Sequence, residues 1–201
     1  MGRNMTVDMT SEIDDPARVL EFWFGAPDAD APRDAWFRKD PAFDALIGER
    51  FGAVIEAALA GRLDHWEAKG PDAALALIVV LDQFTRNVFR NTPRMFAGDA
   101  KALAVATRLV ESGADRELTP LQRWFVYLPF EHAESLAEQD RSVALFDALR
   151  AFPASAGAYD WAVSHRDVVR RFGRFPHRNE ILGRPSTPDE IAFLATPGSR
   201  F

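Results

Sequence analysis

Three stretches of this sequence concentrate side chains that hold anions or move protons. The densest is His165–Arg184, HRDVVRRFGRFPHRNEILGR, with six arginines and two histidines against only Asp167 and Glu180. By simple count it carries about +4 in a chain of formal charge −6, so the remaining residues sum to about −10. Guanidinium forks bind carboxylate and phosphate in bidentate fashion. The cluster therefore either pairs with the protein's own carboxylates, for which Asp82, Glu131, Glu134 and Asp167 are the candidates, or holds an external anion. Within it, Arg174, His177, Arg178, Asn179 and Arg184 surround a tight turn. Arg178 and Asn179 fall in the first turn of a short predicted helix, where free backbone N–H groups favour anions.

The second stretch is DQFTRNVFR, residues 82–90. Asp82 and Arg86 stand at i, i+4, while Gln83, Asn87 and Arg90 form a second polar stripe. Directly after an apolar run, these groups are either a buried pair that fixes helix register or the polar wall of a cleft. The third stretch is PFEHAES, residues 129–135. Here His132 with Glu131 or Glu134 is a candidate for acid–base work, as is His165, which the helical spacing turns inward. Trp161, four residues earlier, falls on the same inward stripe. The spacing is poor for a metal. No second histidine lies one turn away, and HEXXH is absent.

Other chemistries are excluded by composition. The chain has no cysteine, so disulfides, thiolate metal sites and Cys nucleophiles are ruled out. No G-x-S-x-G elbow, P-loop or dinucleotide fingerprint appears, and no cofactor is called for. A pI near 5.3 argues against nucleic acid as a partner. The longest apolar run, Ala73–Leu81, is far short of the roughly 20 residues that span a bilayer. The first twelve residues lack an apolar core and read as a disordered start rather than a signal peptide, which points to a cytoplasmic protein.

The elements that must position these side chains are helices. Asp15-Pro16, Asp40-Pro41, Thr119-Pro120 and Thr187-Pro188 each place a capping side chain before a proline suited to the first helical position. Thr119 with Gln122 and Thr187 with Glu190 complete capping boxes. The periodicity predicts helices over 16–24, 41–60, 72–90, 98–112, 120–137, 140–151, 157–172, 177–182 and 188–195, with a further short one at 32–38. No segment alternates as a strand. Residues 73–81 are apolar all round, so the helix that carries Asp82 is predicted to be central. The aromatic rows Phe22-Trp23-Phe24 and Trp124-Phe125-Tyr127 are each expected to contain an exposed member. The chain thus reads as a single all-α domain over 13–201, built of antiparallel helical hairpins.

VLEFWFG, DQFTRNVFR, PFEHAES and RFGRFPHRNEILGRPSTPDEIAFL together resemble the bacterial domain-of-unknown-function 924 family, over Val19 to Leu194. The resemblance implies a fold like the tetratricopeptide-repeat superfamily, with paired helices in a right-handed superhelix, and brings no activity with it. Its motif positions point to Asp82, Gln83, Arg86, Asn87, Arg90, His132, Glu134, His165, Arg174, His177, Arg178, Asn179 and Arg184. One departure is Ala133, where the pattern has Ser between His and Glu.

The leading expectation is a helical binding module. Its site, comprising Asp82, Arg86, Asn87, Arg90, Arg174, His177, Arg178, Asn179 and Arg184, takes a peptide or small anionic ligand. The alternatives are an enzyme acting on an anionic substrate, with His132, Glu134 or His165 carrying the chemistry, and a purely structural network with function in protein–protein contacts.

Overall fold

The structure, a computed structural model, describes residues 13–26 and 31–199. The expectation for residues 1–12 lies outside them. Among the described residues there is no strand. Nine α-helices among the described residues carry the fold: α1 (Pro16–Phe24), α2 (Pro41–Leu59), α3 (Pro71–Ile78), α4 (Thr85–Val88), α5 (Asp99–Ser112), α6 (Pro120–Glu131), α7 (Leu136–Asp147), α8 (Ala158–Phe172) and α9 (Pro188–Leu194).

The proline starts form as their chemistry dictates. Asp15 Oδ1 accepts from the Arg18 N–H, and Asp40 Oδ1 accepts from the N–H groups of Ala42 and Phe43. Both capping boxes close. Thr119 accepts from the Gln122 N–H while Gln122 accepts from the Thr119 N–H, and Thr187 and Glu190 do the same. Thr119→Ala is expected to cost about 1 kcal/mol, a fall of a few degrees in Tm by thermal denaturation. An unchanged Tm would show that the box adds nothing once α6 is packed. At the other end, Gly113 and Gly173 adopt the left-handed conformation (φ 76° and 70°) that closes α5 and α8.

The predicted central helix is central, and every residue from Ala73 to Leu81 is buried. It is not one regular helix, however. Between α3 and α4, Val79–Phe84 winds as a π-helix. One extra residue per turn bends the register just where Asp82 sits, and such turns gather at functional sites. Against this spine pack α1, α2, α5 and α6, and α5 to α8 each pack on the next.

Two boundaries differ from the periodicity. The predicted helix 120–137 ends at Glu131 and the next begins at Leu136, because the buried Gln139 amide donates to the carbonyls of Glu131 (2.6 Å) and Ala133 (2.8 Å). A side chain there replaces the next helical turn. The predicted helix 177–182 is only a three-residue 3-10 turn, Pro176–Arg178, followed by hydrogen-bonded turns. The expected helix N-terminus at Arg178 and Asn179 is therefore absent, and with it the argument for an anion held by backbone N–H groups.

The aromatic rows are less exposed than expected. Trp23, Phe24, Phe125 and Tyr127 are buried, and Phe22 and Trp124 half-buried. Trp23 sits edge-on to Phe84 and Phe125, both with centroids at 5.6 Å. Arg33 and Trp36 donate to the Trp23 carbonyl at the end of α1. Conversely Trp161, expected to face inward, is 59% exposed.

Candidate functional site

Asp82 is the pivot. It is 1% exposed, and the π turn brings its carboxylate against three donors: Arg86 Nη1 at 3.0 Å, the Gln83 amide, and His132 Nδ1 at 2.8 Å. Burial opposes its ionisation, but the charge of Arg86 and the contact with His132 hold it well below the usual carboxylate range. Arg86 reaches onward to both oxygens of Asp99, at 2.9 and 3.1 Å. His132 is the C-terminal cap residue of α6. Burial and the neighbouring Arg86 lower its pKa, so the ring is neutral at pH 7. With Nδ1–H donated to Asp82, Nε2 is the ring atom left to accept a proton or a ligand.

Arg178 closes the corner from the C-terminal segment. Only 7% exposed, it donates from Nη2 to the His132 carbonyl (2.9 Å) and from Nη1, at 3.5 Å, to Asp99. Its guanidinium lies between the rings of Phe96 (4.7 Å) and Phe175 (4.6 Å). Burial and repulsion from Arg86 push it down to about 10, and it remains charged at neutral pH. Behind His132 lie Glu131 and His165, in contact at 3.3 Å. Burial, aided by the charge of Asp82, pushes Glu131 up to about 8. His165 Nδ1 meets the Trp161 carbonyl at 2.8 Å, and burial pushes the ring down to about 3. Both are thus neutral at pH 7. Glu131 Oε2 is buried without a hydrogen-bond partner among the described residues.

The remaining expected residues form two other groups. Asn87 and Arg90 both bond Asp44 on α2, Arg90 through Nε and Nη2 at 2.8 and 2.9 Å. In the C-terminal segment, Arg184 grips Glu134 at 2.6 and 2.8 Å and donates to Asn179. Asn179 bonds Glu190, which Arg174 grips at 2.7 and 2.9 Å. Glu134 also accepts from the Phe175 N–H. His177 lies tilted against Phe175, with centroids 5.6 Å apart.

Of the expected internal counter-ions, Asp82 pairs with Arg86, Glu134 with Arg184, and Asp167 with Arg166 and Arg170. Glu131 supplies none at neutral pH, because it is protonated. Asp44, Asp99 and Glu190 also carry pairs, which spacing along the sequence does not disclose. Asp99 and Asp44 look like ordinary helix first-turn acids in sequence, and Glu190 looks like half of a capping box.

Among the described residues, no group of three or more His, Asp or Glu is arranged to hold a metal ion. No helix among them is long and apolar enough to cross a membrane. A cleft of about 860 Å³ opens elsewhere, lined by Leu20, Phe24, Trp36, Ala73 and Leu121, and it touches none of the expected site residues. A smaller depression of about 450 Å³ borders Arg174 and Glu190.

The model of a family described as bacterial protein of unknown function (DUF924) matches residues 19–198. Among solved structures, a protein of unknown function from Agrobacterium tumefaciens is 41% identical, with a TM-score of 0.80 over 90% of this chain and 96% of that one. No curated protein matches.

Proposed function

We propose that this chain, which belongs to the bacterial DUF924 family, is a binding protein that takes a small anion at the corner between Arg178, Arg86 and His132. The observation that carries this reading is the under-compensated charge of Arg178. Arg90, Arg174 and Arg184 each hold a carboxylate with two bonds of 2.9 Å or shorter. Arg178, more deeply buried, has its carboxylate only at 3.5 Å, and its Nε lacks a partner among the described residues. A buried guanidinium without a close counter-ion favours an anion strongly. The rings of Phe96 and Phe175 lie 4.7 and 4.6 Å from its centre, and its N–H groups are suited to carboxylate or phosphate. On this reading Arg90, Asn87, Arg174, Asn179 and Arg184 brace the fold around the corner, and Arg86, Arg178 and His132 meet the ligand.

By count Asp82 and Asp99 answer Arg86 and Arg178, but Asp99 lies nearer to Arg86 (2.9 Å) than to Arg178 (3.5 Å), which leaves Arg178 the less compensated of the two. A bound anion adds one negative charge beside a neutral His132, so it raises the affinity of that ring for a proton. Anion affinity is therefore expected to rise as pH falls toward the range in which His132 takes up its proton. Titration calorimetry with phosphate, acetate and succinate tests the reading. Binding of at least one, weakened tenfold or more in Arg178→Lys with the melting temperature within a few degrees of the parent, supports it. A variant that melts far lower while keeping the parent's affinity makes Arg178 a brace of the fold instead.

A further inference from the structure

We propose that His132 is the general base of a hydrolytic site in this corner, acting on small acyl esters or amides that carry a carboxylate or phosphate group. The proposal rests on the anion reading above, because Arg178 bonds the main chain of His132 itself and so fixes where the charged end of a substrate lies relative to the base.

The geometry is that of an oriented imidazole. A carboxylate bonded to one ring nitrogen sets the tautomer, directs the other nitrogen outward and stabilises the imidazolium that forms during reaction. Asp82 meets His132 Nδ1 at 2.8 Å, and it is itself fixed by Arg86, Gln83 and the π turn. The His132 side chain is 16% exposed, so water reaches it although most of the ring is shielded. The neutral ring is the form a base requires. Water is also the available nucleophile. The chain has no cysteine, and the Thr85 hydroxyl is spent on the Leu81 carbonyl at 2.7 Å.

In the step, His132 Nε2 takes a proton from water as the water oxygen bonds to the acyl carbon, and the carbonyl electron pair moves onto its oxygen. The guanidinium charges of Arg86 and Arg178 favour that oxyanion. When it collapses, the bond to the leaving group breaks, and the departing oxygen or nitrogen keeps the electron pair. The imidazolium returns its proton to that atom, so ester and water become acid and alcohol with His132 neutral again.

The charged and titratable groups around the ring are Asp82 and Arg86 from the spine helix, Glu131 beside it, Asp99 from α5, His165 from α8 and Arg178. The lowered pKa of His132 keeps the base form available to below pH 6.5.

Two activated esters test the proposal on the full chain: neutral 4-nitrophenyl acetate and the anionic mono-4-nitrophenyl succinate. The anionic ester is expected to react at least tenfold faster in kcat/KM. His132→Gln should lower that rate about 100-fold, within the range of general bases. Asp82→Asn should lower kcat with KM kept, and Arg178→Lys should raise KM. His65→Gln, which removes an exposed imidazole, should leave the rate unchanged. Should His132→Gln fold poorly, the pH profile of the parent decides instead, since a base of this kind gives a rate that falls below the His132 pKa.

Succinate binding is measured in parallel. Binding with a rate indifferent to His132, or with no pH limb, overturns the base and leaves the anion reading intact. A His132-dependent rate with no binding of succinate, phosphate or acetate supports the base and overturns the anion reading. Neither signal overturns both.

Discussion

Gly98→Ala is expected to lower the melting temperature by roughly 10 °C or more. A Cβ built on Gly98 would lie 2.1 Å from the Leu81 carbonyl oxygen, 2.8 Å from its carbon and 3.0 Å from the Leu81 Cα. All three are backbone atoms in the π turn, so no flexible side chain can swing away. Gly98 has φ −93° and ψ −11°, which any residue adopts. Contact alone demands glycine here. Overpacking of this severity belongs among the substitutions that cost about 4 kcal/mol or more, and each kcal/mol is worth about 2–4 °C in a domain of this size. Gly52→Ala is the matched control. It lies inside α2 with nothing within 4 Å of its added Cβ, and should stabilise by about 0.5–1 kcal/mol. An alanine at 98 that melts within 2 °C of the parent would show that the spine yields freely. The consequence for the site is direct. Leu81 precedes Asp82 and Gly98 precedes Asp99, so parting the two backbones parts the two carboxylates that hold Arg86. Nitrogen NMR of the His132 ring should register the loss of its Asp82 bond even in whatever fraction still folds.

That contact also shows why the sequence discloses the fold better than the site. Helix starts are local: an aspartate or threonine before proline caps the same N–H groups whatever surrounds them, and all four such starts form. The buried spine is equally legible, because nine apolar residues in a row can only be central. The π turn is not written in any local pattern. It brings the Leu81 carbonyl against Gly98, a neighbour seventeen positions along the chain that no local pattern marks. The same holds for partners. Asp82 with Arg86 is an i, i+4 pair visible on a helical wheel, and it forms. Arg178 with Asp99 spans 79 positions and Arg90 with Asp44 spans 46. Charge counting shows that carboxylates must answer the arginines, but tertiary packing chooses which. The helix expected to reach residue 137 stops early for a similar reason, since the Gln139 amide supplies from eight residues away what the next turn of backbone would have supplied.

Glu131→Gln is expected to stabilise the protein progressively as pH rises, by about 4 kcal/mol between pH 4.5 and pH 8. The ordinary pKa of the group is 4.5, and in the folded chain burial raises it to about 8. Between those values the folded state holds a proton that the unfolded state has released, so stability falls with rising pH, at about 1.4 kcal/mol per unit. Below pH 4.5 both states are protonated and the group contributes nothing. His165 has the opposite sign. Its ordinary value of 6.5 drops to about 3 on burial, so between pH 3 and 6.5 the unfolded state holds the extra proton and stability rises with pH. From 4.5 to 6.5 the two slopes cancel. The pair alone therefore gives a plateau there, with losses of about 2 kcal/mol by pH 8 on one side and by pH 3 on the other. The acid side is shared with Asp82, Glu134 and Glu190, whose pKa values are lowered by their partners and which lose their stabilisation as they protonate. The alkaline side between 6.5 and 8 is the clean signature of Glu131. Urea unfolding of parent and variant at pH 4.5, 6.5 and 8 measures it. Curves that stay parallel would mean that Glu131 is already ionised when folded, its proton passed to His165 3.3 Å away. The buried pair would then be an ion pair. His132 would stand beside two carboxylates and an imidazolium instead of one carboxylate and two neutral groups, and the balance that keeps its ring neutral would need a different source.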